Sequence, residues 1–261
     1  VVEVCACMDH WLRERWVVAG LADLAVLLLA YLVSRKAGLP QGYAPVSTVA
    51  ALGTQIALLI VYLASTVVRT LGKGYSFTVF EITQAAVAFL ISVSGALRIA
   101  HGNPAASWAV AIFILLAGAA CYVVSFAFLE RKGGRNRNFY TYSTFAVLLT
   151  LVGTRLIVSE SGVGIVWPVL ALVCIRIGVR AGRTTLLAHG AVYLLLSALV
   201  SGLFAHAVSC LLGTGVGWGR LEAGAFVSAL AACAGYAMLL AVRHADDEDW
   251  AGRGVVLMVF T

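Results

Sequence analysis

Charge is what this chain has least of. Only 11% of its 261 residues are Asp, Glu, Lys or Arg, against roughly a quarter in an ordinary soluble domain. So few ions cannot cover a water-facing surface, which excludes a soluble globular fold. The net charge of +6 invites a nucleic-acid partner. Its Lys and Arg residues lie between apolar stretches and form no single patch, so no nucleic acid is expected.

The motifs of several chemistries are missing as well. There is no GxxxxGK[ST] for nucleotide phosphates, no HExxH and no GxSxG nucleophile elbow. No aspartate-rich site for prenyl diphosphates is present, and the last two apolar stretches hold no lysine for a retinal Schiff base. Gly213–Gly219 (GTGVGWG) imitates a dinucleotide fingerprint, but no strand precedes it, so it reads as a flexible turn. These absences argue against an enzyme, and the sequence requires no cofactor. Proline is rare at four residues, and Pro168 predicts a bend in an otherwise uninterrupted apolar stretch.

What the chain does have is apolar length: 62% of it is hydrophobic and its mean hydropathy is +0.97. A helix needs about 20 apolar residues to cross about 30 Å of hydrocarbon. Eight stretches qualify: Trp16–Ser34, Val46–Val68, Phe77–Ile99, Ala105–Leu129, Phe139–Val158, Gly162–Val179, Thr184–Val208 and Ala223–Val242. They are continuous and do not alternate, so they read as helices and not as barrel strands. The expected fold is all-α: one polytopic membrane helix bundle in contact with the lipid bilayer, with Trp residues near the span ends. Gly254–Thr261 is apolar too, either a tail or the start of a ninth span.

Basic residues set the orientation. Thirteen of the eighteen Lys and Arg fall in the N-terminal segment, the even loops and the C-terminal tail, and five in the odd loops. Thirteen against five predicts both ends on the cytoplasmic side, which agrees with an even number of spans.

Six cysteines form no recognisable framework. Cys5, Cys7 and His10 are metal-binding residue types at short spacing, but no fourth ligand accompanies them, and a segment this close to a terminus is expected to lack fixed structure. In the last span Gly224, Ser228 and Ala232 recur every four residues, a small-residue face that predicts close packing against another helix of this chain or of a partner subunit.

Ionisable groups within the spans are the candidates for function, because each costs several kcal/mol in hydrocarbon. Asp23 lies about seven residues into the first span and Glu81 about four into the third, with Gln84 one turn deeper on the same face. Arg176 lies near the cytoplasmic end of the sixth span and His189 near that of the seventh. His189, Tyr193 and Ser197 belong to a four-residue stripe, Thr185 to Ser201, expected to face protein. Gln55 lies deep in the second span. His101 and His206, near the opposite side, are weak candidates for haem ligands.

The expected function is a small-solute, proton or ion transporter with its polar site in the cytoplasmic half of the bundle. Asp23, Glu81, Gln84, Arg176, His189, Tyr193 and Ser197 are its candidate residues. Two alternatives stand beside it. One is a non-catalytic membrane subunit of a larger complex, with electron transfer if haem is bound. The other is an intramembrane enzyme acting on a lipid or isoprenoid.

Overall fold

The computed structural model describes residues 2–8, 15–35, 40, 42, 44–100, 103–133, 136–213 and 222–243. Among these every regular element is helical. In chain order they are α1 (Val2–Cys7), α2 (Arg15–Val33), α3 (Thr48–Val67), α4 (Val79–Ala100), α5 (Pro104–Val123), α6 (Glu130–Gly133), α7 (Arg137–Ile157), α8 (Glu160–Arg180), α9 (Thr184–Val200), α10 (Leu203–Leu211) and α11 (Ala223–Arg243). Two helices end in a π-helical turn, α3 through Val68–Gly72 and α5 through Val124–Leu129. Seven helices are long and apolar enough to span a membrane, or eight if α9 and α10 count as one bent span. The protein is an all-helical, multi-pass membrane bundle.

Local signals explain most boundaries. Ser47, Asn103 and Ser159 cap α3, α5 and α8, each accepting from a backbone N–H three residues on. Pro104 occupies the first turn of α5, where its missing N–H costs nothing. The expected seventh span, Thr184–Val208, is not one rod. Gly202 adopts φ +74°, the left-handed conformation that ends a helix, and α9 and α10 meet there at 67°. Pro168 does not break α8, which runs unbroken over 21 residues.

The chain divides into two compact units, residues 1–150 and 151–261. In the first, α2, α3 and α4 pack on one another, with α5 against α4 and the short α1 against α3. Along α2 the buried positions are Arg15, Ala19, Asp23, Val26 and Ala30, while Leu21, Leu24, Leu27 and Leu28 are exposed. A stripe at three- and four-residue spacing therefore faces protein, and the rest suits lipid. Ala19, Val26, Leu58, Tyr62 and Ala88 form its apolar core.

In the second unit α8 packs against both α9 and α11. Contact is close where side chains are absent: a Cβ on Gly164 would lie 3.1 Å from the Gly224 Cα, and one on Gly190 would lie 2.7 Å from Ile175 Cγ1. The small-residue face of α11 thus closes on α8, and through Ser228 on Ser197 of α9, within one chain. Ala232, the third residue of that face, is half-buried.

Candidate functional site

In the first unit the start of α2, the end of α3 and the start of α4 meet through buried charge. Glu81 arrives there as part of a capping box, Thr78-x-x-Glu81. The Glu81 N–H donates to Thr78 Oγ1 (3.2 Å), and Glu81 Oε2 accepts from the Thr78 N–H (2.9 Å) and hydroxyl (3.0 Å). Its other oxygen, Oε1, faces two guanidinium groups, Arg69 Nε at 2.7 Å and Arg15 Nη1 at 3.6 Å. Arg15 and Glu81 are each only 4% exposed.

Arg15 also grips Glu3 of α1 in a two-pronged pair, Nε to Oε1 at 2.9 Å and Nη2 to Oε2 at 2.7 Å. The Ser65 hydroxyl donates to Glu3 Oε2 at 2.7 Å, and the Cys7 sulfur lies 3.5 Å from Ser65 Oγ. Aromatic rings cover the cations, Phe80 against Arg15 and Tyr75 against Arg69. Val2–Cys7 is therefore a docked helix, contrary to the expectation that this stretch lacks fixed structure, because Glu3 pairs with Arg15 and Ser65. His10 lies outside the described residues. Among the described residues no cluster of His, Cys, Asp and Glu suits a metal.

Arg69 reaches this set from the π-helical end of α3, in which both Arg69 and Thr70 are buried. The Thr70 hydroxyl donates to the Thr66 carbonyl (2.7 Å), so its oxygen accepts from the Tyr142 phenol of α7 at 2.9 Å. Asn138 pins the following connection, accepting from the Phe77 N–H and donating to the Tyr75 carbonyl, both at 2.7 Å.

Glu3 lies outside the spans. Burial would push its carboxyl up, but the Arg15 and Ser65 hydrogen bonds and the Arg15 and Arg69 charges outweigh that and hold it below the ordinary carboxylate range. A carboxyl whose native value is depressed stabilises the fold fully above its unfolded value, about 4.3. That stabilisation disappears as the pH falls through the native value. Thermal melts from about pH 6 down to about pH 3 should show this loss in the wild type and a flatter profile in Glu3→Gln.

Asp23 lies two turns along α2 from Arg15, on the same buried stripe, and is 5% exposed. Its Oδ2 accepts from Gln84 Nε2 at 2.7 Å. Among the described residues its Oδ1 has no hydrogen-bond partner and no basic side chain pairs with it. The contrast with its neighbours is sharp. Glu3 and Glu81 pair with Arg15 and Arg69, whereas Asp23 pairs with no basic side chain among the described residues. Tyr62 lies beside Gln84 and the carboxylate. A groove of about 330 Å³ runs along the α2–α3 seam past this level, lined by Ala19, Ala22, Val26, Leu58 and Tyr62 and reaching Glu3.

The other expected site residues lie in the second unit. His189, Tyr193 and Ser197 are all buried on α9, whereas Arg176 on α8 is exposed. Ser197 answers a local need. Pro168 has no N–H to offer the Gly164 carbonyl four residues back, and Ser197 Oγ lies 3.4 Å from that oxygen and 2.7 Å from Ser228 Oγ. Ser228 Oγ also lies 2.7 Å from the Gly224 carbonyl; when the Ser228 hydroxyl donates to Ser197 Oγ instead, the Ser197 proton is left for the Gly164 carbonyl. Ser197→Ala should destabilise the protein by about 0.6 kcal/mol, the usual worth of an interhelical hydrogen bond in a bilayer. In a Pro168→Ala background, where the helix regains its own donor, the loss should shrink, and a double-mutant cycle in thermal unfolding measures the difference.

His206 sits on α10 with its Nε2 3.5 Å from Cys210 Sγ; His101, its expected haem partner, lies outside the described residues. Reading the sequence alone missed Glu3, Arg15 and Arg69 as members of the buried set. The capping-box pattern Thr78–Glu81 and the spacing of Arg15 with Ala19, Asp23 and Val26 were the available signals.

No protein-family model, curated sequence or solved structure matches this chain. Function must therefore be argued from the site itself.

Proposed function

We propose that the protein is a small proton- or cation-linked transporter whose ion-accepting group is Asp23. One observation carries this reading: a carboxylate deep in an apolar stripe, with one oxygen held by Gln84 and, among the described residues, no partner for the other and no basic side chain opposite. Such a group needs a proton or a cation from outside the protein to balance it. Gln84 and Tyr62 hold and orient it, and the ion-paired set of Glu3, Arg15, Arg69 and Glu81 acts as a closed latch at one end. The excess of basic residues in the even connections supports both ends on the cytoplasmic side, where this latch would then lie.

The test is reconstitution. Purified protein in liposomes loaded with a pH-sensitive dye should dissipate an imposed pH gradient faster than empty liposomes do. Gradients collapsing no faster than in empty vesicles, with and without sodium or potassium on either side, would refute the reading.

A further inference from the structure

The bent pair of α9 and α10 carries chemistry that the Asp23 site does not use. After the 67° bend at Gly202, α10 is a nine-residue helix with no buried residue. His206 and Cys210 stand four residues apart on it, so they share one face on successive turns. Cys210 is exposed and His206 half-buried, which leaves the pair at the surface.

The separation of their donor atoms is informative: Cys210 Sγ lies 3.5 Å from His206 Nε2. A tetrahedral zinc ion sits about 2.3 Å from a sulfur and about 2.0–2.1 Å from an imidazole nitrogen, at an angle of about 109°. Those values set the two donors about 3.5 Å apart. The pair thus already stands at the bite of one metal ion, and little rotation of either side chain is needed. The same four-residue spacing presents the two zinc-binding histidines of an HExxH helix. Thiolate with imidazole suits zinc, whereas calcium and magnesium demand oxygen.

We propose that His206 Nε2 and Cys210 Sγ chelate one zinc ion on the surface of α10, with water in its remaining positions. In the metal-free protein the 3.5 Å contact serves a thiol–imidazole hydrogen bond. Zinc replaces it: the thiol proton passes to solvent, and the sulfur and nitrogen lone pairs bond the ion. Among the described residues no group of three or more such ligands gathers, so this is an open, exchangeable site and not a closed structural centre. A helix of nine residues is marginal by itself, and an ion bridging its turns fixes it. The site does not depend on the transport reading.

Cobalt(II) titration of the purified full chain tests the proposal, in a background of Cys5→Ala and Cys7→Ala that removes the N-terminal thiols. A thiolate-to-cobalt absorption band should saturate at one equivalent, disappear on adding zinc, and be absent once Cys210→Ala is introduced. No band in that background, or one that survives Cys210→Ala, would overturn the proposal. Losing even an outer partner of a metal ligand costs about 10–100-fold in affinity, so His206→Ala should weaken zinc binding by at least about tenfold; an unchanged affinity would overturn it too. Cys210→His keeps the spacing and should bind zinc while showing no thiolate band, and failure to bind would mean that the four-residue chelate is not the site. Hydrogen exchange supplies a further readout. Zinc should slow exchange of the α10 amides in the Cys5→Ala and Cys7→Ala protein and leave them unchanged after Cys210→Ala; no slowing in the former would count against the chelate.

Discussion

Asp23→Asn is expected, under the transport proposal, to abolish proton flux while leaving expression and thermal stability close to those of the wild type. Asparagine keeps the size of the side chain and an oxygen to accept from Gln84 Nε2, so the packing between α2 and α4 survives. What disappears is a titratable carboxyl at a buried position that no basic side chain among the described residues balances. Stability should not suffer, because an acid whose second oxygen lacks a partner contributes little to the fold, and a neutral amide is less costly to bury. The measurement pairs liposome flux with a melting curve on the same preparation. An Asn variant that conducts at the wild-type rate would make Asp23 a structural residue; a variant that fails to fold would show that the carboxylate supports the bundle.

Glu81→Ala should give the opposite profile, a large loss of stability. This carboxylate stands against two guanidinium groups at 2.7 and 3.6 Å and also closes the capping box with Thr78. Removing one partner from a buried ion-pair set leaves the remaining charge uncompensated, at a cost of about 3–5 kcal/mol. Losing the cap adds about 1 kcal/mol. Glu81→Gln separates the two effects, since an amide oxygen still accepts from the Thr78 N–H but no longer balances Arg69. The expected order of melting temperature is wild type, then Gln, then Ala. An Ala variant that melts with the wild type would mean that the ion pairs are not formed in the bilayer.

The spans and the buried stripe were legible in the sequence because hydrocarbon imposes simple demands of apolar length and of a reason for each buried charge. Asp23 stands out by that rule, and Gln84 follows from its spacing to Glu81. Arg15 and Arg69 were hidden for a physical reason. At a span end an arginine normally snorkels to water, and nothing in the residues Val68–Gly72 announces the π turn that carries Arg69 inward. Arg176, of the same residue type near a helix end, does stay exposed. The break at Gly202 was hidden because apolar residues continue through it, and hydropathy cannot register one left-handed residue. The pairing of Ser197 with the carbonyl freed by Pro168 needed two helices to be placed side by side before it had meaning.

The matched set of two acids and two guanidinium groups has an electrical consequence. A transmembrane voltage does work of about 2.3 kcal/mol per elementary charge per 100 mV on whatever net charge crosses it. A cluster whose charges sum to zero offers the field no net charge to pull, so Glu3, Arg15, Arg69 and Glu81 can shift as one unit without electrical work. An Asp23 carboxylate with no basic partner among the described residues is different: it is one net charge inside the bilayer, which a bound proton or monovalent cation cancels. Under the transport proposal, voltage would act on the empty carrier and leave the loaded one untouched.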